Sequence, residues 1–388
     1  MRVLVLSFYY QPDLCAGSFR TAALVKELSK QNDIEIDVVS TLPNRYASFS
    51  VEAPEVEKTG PITIHRIPLP AHNSGMVDQA KAFFTYYKSA IKISDQANYD
   101  LIFATSSRLF TAFLGARIAR KKKLPLYLDI RDIFVDTIND LLPSKFSLLA
   151  KPVFSLIEKY SFSRAQRINL VSEGFEGYFN KRYPKSELRW FTNGIDDEFL
   201  NVKYDSKLKS NKGIVSVLYA GNIGEGQGLH EILPKLSKSL KDKASFTVIG
   251  DGGRRQQLKD SMLGVSNLSL LPPIDRKQLI QEYKKADILF LHLNDYPAFE
   301  KVLPSKIFEY AALGKPILAG VSGYAAEFLN LEVNNCEVFY PGDDTAAKKA
   351  FERLSLSNID RVHFKGKFAR GVIMKKMAND ITEFLRNV

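Results

Sequence analysis

The chain has little cysteine, with only Cys15 and Cys336 in 388 residues. That excludes a disulfide framework and a cysteine-rich metal site. Its five histidines, His65, His72, His230, His292 and His363, show no metal-ligand spacing. No apolar run approaches the roughly 18 residues of a membrane span. The opening "MRVLVLSFYY" has one arginine and no small-residue cleavage site, so it reads as a first strand and not as a signal peptide. Together these absences predict a cytoplasmic protein. Neither the dinucleotide fingerprint nor the phosphate-loop motif is present, which argues against a dehydrogenase and a P-loop enzyme.

What the chain does have is a soluble globular balance, 45% hydrophobic and 25% charged, over a length that suits two domains. Its net charge is +11, and the excess leans to one half: Met1–Trp190 holds 26 Lys and Arg against 19 Asp and Glu. Such an excess favours an anionic partner, whether a lipid surface, a phosphate-bearing ligand or nucleic acid.

Short apolar runs alternate with amphipathic stretches from end to end. "RVLVLSF", "IEIDVVS", "DLIFAT" and "LPLYLDI" are strand candidates in the first half, and "IVSVLYAG", "ASFTVIG", "ADILFLHL" and "KPILAG" in the second. This alternation predicts an α/β fold of two doubly wound, Rossmann-like parallel-sheet domains facing a cleft. The join falls near "RWFTNGIDDEFL", with Asn193-Gly194 as a turn signal. The expected domains are 1–192, 193–370 and a C-terminal helix at 371–388, which is open to packing on either domain.

Four motifs lie where such sheets bind ligands, at the carboxyl ends of strands. Gly17 and Ser18 open the first helix, where a backbone can approach an anion, though an ordinary βα turn uses the same residues. In "YLDIRDIFVD" an apolar strand ends in Asp129, Arg131, Asp132 and Asp136. Asp129 or Asp132 could orient or deprotonate a hydroxyl and Arg131 could neutralise phosphate; a helix cap and an ion pair would explain them too. "YAGNIGEGQGL" carries four glycines in eight residues, Gly221, Gly224, Gly226 and Gly228, between a strand and a helix. "VIGDGG" ends the next strand with Gly250, Asp251 and Gly252.

The fifth motif is "KVLPSKIFEYAALGKPI". Pro304 suits a first helical turn, which puts Ser305 and Lys306 at the positive end of a helix and Glu309 one turn deeper. Lys306 suits a diphosphate and Glu309 a vicinal diol such as a ribose, the two features of a nucleoside diphosphate. A simple ion pair along one helix face is the competing reading.

In this order the motifs resemble the retaining GT-B glycosyltransferases of family 4, over nearly the whole chain. The matching stretches are the Gly17 turn, "FTNGIDDEF", "YAGNIGEGQGL", "VIGDGG", "ADILFLHL" and "LPSKIFEYAALGKPI". The resemblance implies a nucleotide-sugar donor, a UDP-sugar in particular, in the C-terminal domain and an acceptor in the N-terminal one. It also implies retained anomeric configuration without an obligatory metal or other cofactor. Glu309 matches the family glutamate that holds the ribose, and Lys306 a position facing the diphosphate. The family's other glutamate falls at Lys301, with Glu300 one residue off, so the donor sugar does not carry over. Two usual diphosphate cations of the Gly221 loop are replaced by Asn222 and Gln227. The form "GNIG…QGL" is similar to enzymes of bacterial O-antigen, capsule or exopolysaccharide assembly.

In "LLPSKFSLLAKPVFSLIEKYSFSRAQRI" lysines alternate with apolar residues, as they do on a helix lying on an anionic membrane; "MVDQAKAFFTYYKSAIKI" is a second such stretch. Both also fit helices packed on a sheet. With the positive N-terminal half they predict a peripheral enzyme on the inner face of the bacterial plasma membrane, with a polyprenyl-diphosphate-linked acceptor. A GT-B epimerase or phosphorylase is an alternative within the fold, and a non-catalytic nucleotide-binding protein another. Nucleic acid is the weaker partner, because the basic residues are spread and not interleaved with aromatics on one surface.

Overall fold

The computed structural model describes residues 1–13, 15–44, 52–70, 76–106, 108–136, 144–202 and 213–387. It comprises two compact units, Met1–Asn193 with Arg370–Val388, and Gly194–Ala369.

The first unit is built on an eight-stranded sheet: β1 (Arg2–Leu6), β2 (Glu35–Thr41), β3 (Val56–Thr59), β4 (Ile62–Ile67), β5 (Leu101–Thr105), β6 (Leu126–Ile130), β7 (Arg167–Leu170) and β8 (Glu187–Arg189). Their spatial order is β3-β4-β2-β1-β5-β6-β7-β8. β1, β5 and β6 are buried along their whole length or nearly so, as continuous apolar strands covered on both faces must be. One pair departs from the all-parallel expectation. β3 runs antiparallel to β4, because only Gly60 and Pro61 separate them and a parallel return needs a crossover.

The C-terminal helix Arg370–Arg386 belongs to this unit and packs on the first helix, Ala16–Leu28. Asp380 anchors it. Its carboxylate takes Arg167 at 3.0 Å, Arg189 at 2.7 Å and the Tyr127 hydroxyl at 3.0 Å.

The second unit has six parallel strands: β9 (Val215–Asn222), β10 (Ala244–Asp251), β11 (Leu268–Leu271), β12 (Ile288–His292), β13 (Ile317–Gly320) and β14 (Cys336–Phe339), in the order β11-β10-β9-β12-β13-β14. Val217, Phe246, Val248 and Phe290 of the sheet pack on Leu229, Ile232, Leu233 and Leu236 of the helix after β9. The pairing of β9 with β10 sets Gly221 opposite Gly250. Gly250 has φ +157°, and a Cβ there would lie 1.9 Å from the Gly221 carbonyl oxygen. Only glycine fits that strand end.

Candidate functional site

In the first unit the motif residues form two different environments. Asp129 ends β6 and is 1% exposed. Its carboxylate is taken by Arg20, with Nε 2.8 Å from Oδ2 and Nη2 2.9 Å from Oδ1, and the Asn169 amide donates to Oδ1 at 2.7 Å. Arg20 Nη2 also donates to the Phe191 carbonyl at 2.7 Å, and Nη1 to that of Thr192. Asp129, a candidate to meet an acceptor hydroxyl, thus has both oxygens occupied inside the core, where the group ties the first helix to the end of the unit's main segment. Arg20 was not singled out in the sequence, yet a signal exists. Arg20, Leu24 and Leu28 recur at four-residue steps on one buried helix face, and a cation on such a face needs a counter-charge.

Arg131 is different. Its backbone N–H donates to Ser106 Oγ at 3.0 Å, but its Nη1, shut off from solvent, has no hydrogen-bond partner among the described residues. Burial and the neighbouring Arg20 charge lower its pKa. Asp132 is exposed, and Asp136 is half-buried. Gly17 and Ser18 lie in the first turn of the helix Ala16–Leu28, and Ser18 Oγ is buried without a hydrogen-bond partner among the described residues. With Asp129, these residues belong to the first unit; the remaining candidates belong to the second.

In the second unit the structure brings most of the remaining candidates together. The helix Lys306–Ala312 follows Pro304 and carries its apolar residues Ile307, Phe308, Tyr310 and Ala311 inward. Lys306 Nζ contacts Glu309 Oε2 at 2.9 Å and the Tyr283 hydroxyl at 3.3 Å. Both side chains are largely but not fully buried, at 22% and 17% exposure. Burial opposes the lysine's charge, but the Glu309 carboxylate and the Tyr310 hydroxyl outweigh it and raise the pKa of Lys306. Burial pushes the Tyr283 and Tyr310 phenols well above their usual range. Lys306 is therefore a cation, and Tyr283 a hydroxyl donor, at neutral pH.

The glycine-rich loop reaches this pair. A Cβ on Gly221 would lie 3.6 Å from Lys306 Cε, and the Ala220 N–H donates to the Tyr310 hydroxyl at 3.2 Å. Asn222 and Gln227, which stand where the family has cations, bond to each other: Asn222 Nδ2 donates to Gln227 Oε1 at 2.7 Å, and that oxygen also accepts from the Gly224 N–H at 3.1 Å. They brace the loop. Gly252 donates to the Asp251 carboxylate at 2.8 Å, and the Ile223 N–H to the Asp251 carbonyl at 2.8 Å, so the β10 end buttresses the same turn. Ser305 precedes the helix without a side-chain cap bond. Glu300 and Lys301 lie in the 3-10 turn Phe299–Lys301, whose Phe299 ring abuts Gly226. A cation, a carboxylate and glycine backbone at one sheet edge can together hold an anion beside a diol. Among the described residues, no three His, Cys, Asp or Glu side chains gather as a metal would need, and no helix is long and apolar enough to cross a membrane.

Residues 17–194 match the family described as Glycosyl transferase 4-like domain, and residues 203–369 the family described as Glycosyl transferases group 1. A putative colanic acid biosynthesis glycosyl transferase, WcaI of Escherichia coli (strain K12), is 25% identical, over 81% of this chain and 82% of that protein. A sucrose-phosphate synthase from Thermosynechococcus elongatus superposes with a TM-score of 0.75 at 14% identity, over 100% of both chains. HepE of Anabaena, solved in complex with UDP and glucose, gives 0.64 at 15% identity, over 98% of this chain and 99% of that one. At these identities the likeness to the solved structures is one of fold.

Proposed function

Since this chain belongs to the GT-B glycosyltransferases with a 4-like N-terminal domain and a group 1 C-terminal domain, we propose that it moves a sugar from a UDP-sugar, with retention, onto a polyprenyl-diphosphate-linked saccharide in bacterial surface-polysaccharide assembly. The observation that carries this reading is the Lys306–Glu309 pair set beside Gly221. In it, Lys306 neutralises the diphosphate and Glu309 accepts from the ribose diol. The acceptor hydroxyl bonds through its oxygen to the anomeric carbon as the bond from that carbon to the diphosphate breaks; the electron pair leaves with UDP, and the departing phosphate oxygen takes the hydroxyl proton. A fixed cation lowers the cost of that departing charge. Gly250, Asp251 and Gly252 hold the turn that frames the donor, and Glu300 and Lys301 lie toward its sugar. Arg131, half-buried just past the end of β6, takes an acceptor phosphate, and Asp132, exposed beside it, orients the acceptor hydroxyl; Gly17 and Ser18 offer backbone to a phosphate. The UDP bound to HepE and the colanic acid assignment of WcaI support the donor and pathway class.

The test is incubation of purified protein with UDP-sugars and a polyprenyl-diphosphate-linked saccharide in the absence of divalent cation. Acceptor-dependent release of UDP is expected. Sugar 1-phosphate formation, or interconversion of the donor without acceptor, would move the protein to the phosphorylases or epimerases.

The same reading sets the first unit, which holds most of the chain's positive excess, on an anionic membrane. Val153 and Leu156 on the helix Ser144–Phe162 are 55% and 68% exposed, and Phe84 on the helix Met76–Ser94 is 57% exposed. Residues 141–143 of the basic amphipathic stretch lie outside the described residues. Binding to phosphatidylglycerol vesicles at low salt is expected, with a loss of about tenfold or more for Leu156→Glu, since one buried apolar side chain contributes about 1.5–3 kcal/mol. Equal binding to neutral vesicles would remove the anionic surface from the account, and binding to neither would remove the membrane.

A further inference from the structure

The glycine-rich loop is gripped by its carbonyls. Three in succession accept from the segment that ends and follows β12. Asn294 Nδ2 donates to the Glu225 oxygen at 3.1 Å, the Asn294 N–H to the Gly226 oxygen at 2.8 Å, and His292 Nδ1 to the Gln227 oxygen at 2.7 Å. The Asn294 amide cannot turn over freely, because its Oδ1 accepts from the Asp295 N–H at 3.0 Å. The Tyr296 hydroxyl adds a bond to the Glu225 carboxylate at 2.7 Å.

His292 is the least ordinary part of this grip. A carbonyl can only accept, so Nδ1 carries the proton. On the far side of the ring the Gly342 N–H lies 3.1 Å from Nε2, and an amide N–H can only donate, so Nε2 is bare. The imidazole is thus neutral, with its tautomer fixed at both ends. Burial agrees, lowering its pKa to about 4. The ring is 1% exposed and stacks nearly parallel to Phe290, at 5° between planes and 6.1 Å between centroids. Room for it is made in the next strand, where a Cβ on Gly320 would come within 2.2 Å of His292 Cδ2. One side chain therefore joins the glycine loop to the turn after β14. A purely apolar filler would pack there without those two bonds.

We propose that His292, seconded by Asn294, is a positioning residue that sets the glycine loop in the shape that receives the donor diphosphate. This rests on the donor-site reading above. His292 touches no reacting atom; it acts through the Gln227 carbonyl.

Two variants separate its two bonds. His292→Asn sets an amide nitrogen where Nδ1 lies, keeping the donor to Gln227 and losing the acceptor for Gly342. His292→Gln sets an amide oxygen where Nε2 lies, with the opposite result. Hydrogen exchange of the Gly224–Leu229 amides and calorimetric titration of UDP are compared for wild type and both variants. Exchange about tenfold faster, and UDP affinity about tenfold weaker, are expected for His292→Gln, with His292→Asn near wild type, since one lost hydrogen bond is on the order of a tenfold change. A side chain that merely fills the core would affect both alike; equal loop exchange in the two variants, or a worse defect in His292→Asn, overturns the proposal. If wild type binds no UDP while exchange still separates the variants, the hold on the loop stands and the donor-site reading is what fails. Should a His292 variant not fold, Asn294→Ser removes the grip on Glu225 and is expected to loosen the same amides; unchanged exchange there overturns the proposal equally.

Discussion

Replacing Lys306 by alanine is expected to lower kcat/KM by two to three orders of magnitude while the fold persists. Lys306 is the cation adjoining the Gly221 strand end, and Asn222 and Gln227, at the positions that could have shared its work, are uncharged and bonded to each other. Loss of a group aimed at developing negative charge typically costs about 10²–10³ in rate. Stability should move little, because the Lys306–Glu309 pair retains 22% and 17% exposure and such pairs contribute about 1 kcal/mol or less. Steady-state kinetics with thermal melts of the same preparation decide it. Unchanged turnover with a lowered melting point would make the pair a structural contact only.

Asp129→Ala is expected to act in the opposite way, through stability. Arg20 and Asp129 have side chains 1% and 2% exposed, joined by two hydrogen bonds. Removing one partner leaves a buried charge uncompensated, which costs about 3–5 kcal/mol. Asp129→Asn, which keeps one acceptor oxygen and the shape, should fall between. Denaturant titration monitored by far-ultraviolet dichroism reads this directly. A variant with wild-type stability and no activity would restore Asp129 to the catalytic reading.

The contrast between these two carboxylates shows what a sequence can disclose here. Glu309 was legible because helix periodicity, Pro304 and a lysine three residues before it all specify its face and its neighbours locally. Asp129 was legible as the end of a strand, but its partner, Arg20, lies 109 residues away on the first helix, and only the folded unit brings the two together. The glycine clusters announced strand ends correctly, since Gly221 and Gly250 pair in register and a Cβ on Gly250 would strike the Gly221 carbonyl. The hold on their loop was not legible. His292 sits in an apolar strand, where its spacing suggests only a core histidine, and its bonds are to main-chain groups at Gln227 and Gly342 that carry no sequence signature. The edge strands β3, β8 and β14 escaped for a related reason. Their residues are exposed or half-buried apart from Leu188 and Phe339, so none carries the continuous apolar run that marks a central strand.

Calorimetric titration of UDP into wild type and Glu309→Ala, without divalent metal, tests the central claim most directly. The account predicts binding by wild type that falls at least tenfold in the variant, since a charged acceptor on a ribose diol contributes about 1.5–3 kcal/mol. Equal affinity in the two proteins, or none in wild type, would leave Lys306 and Glu309 as an ion pair along a helix and contradict the donor site proposed for it.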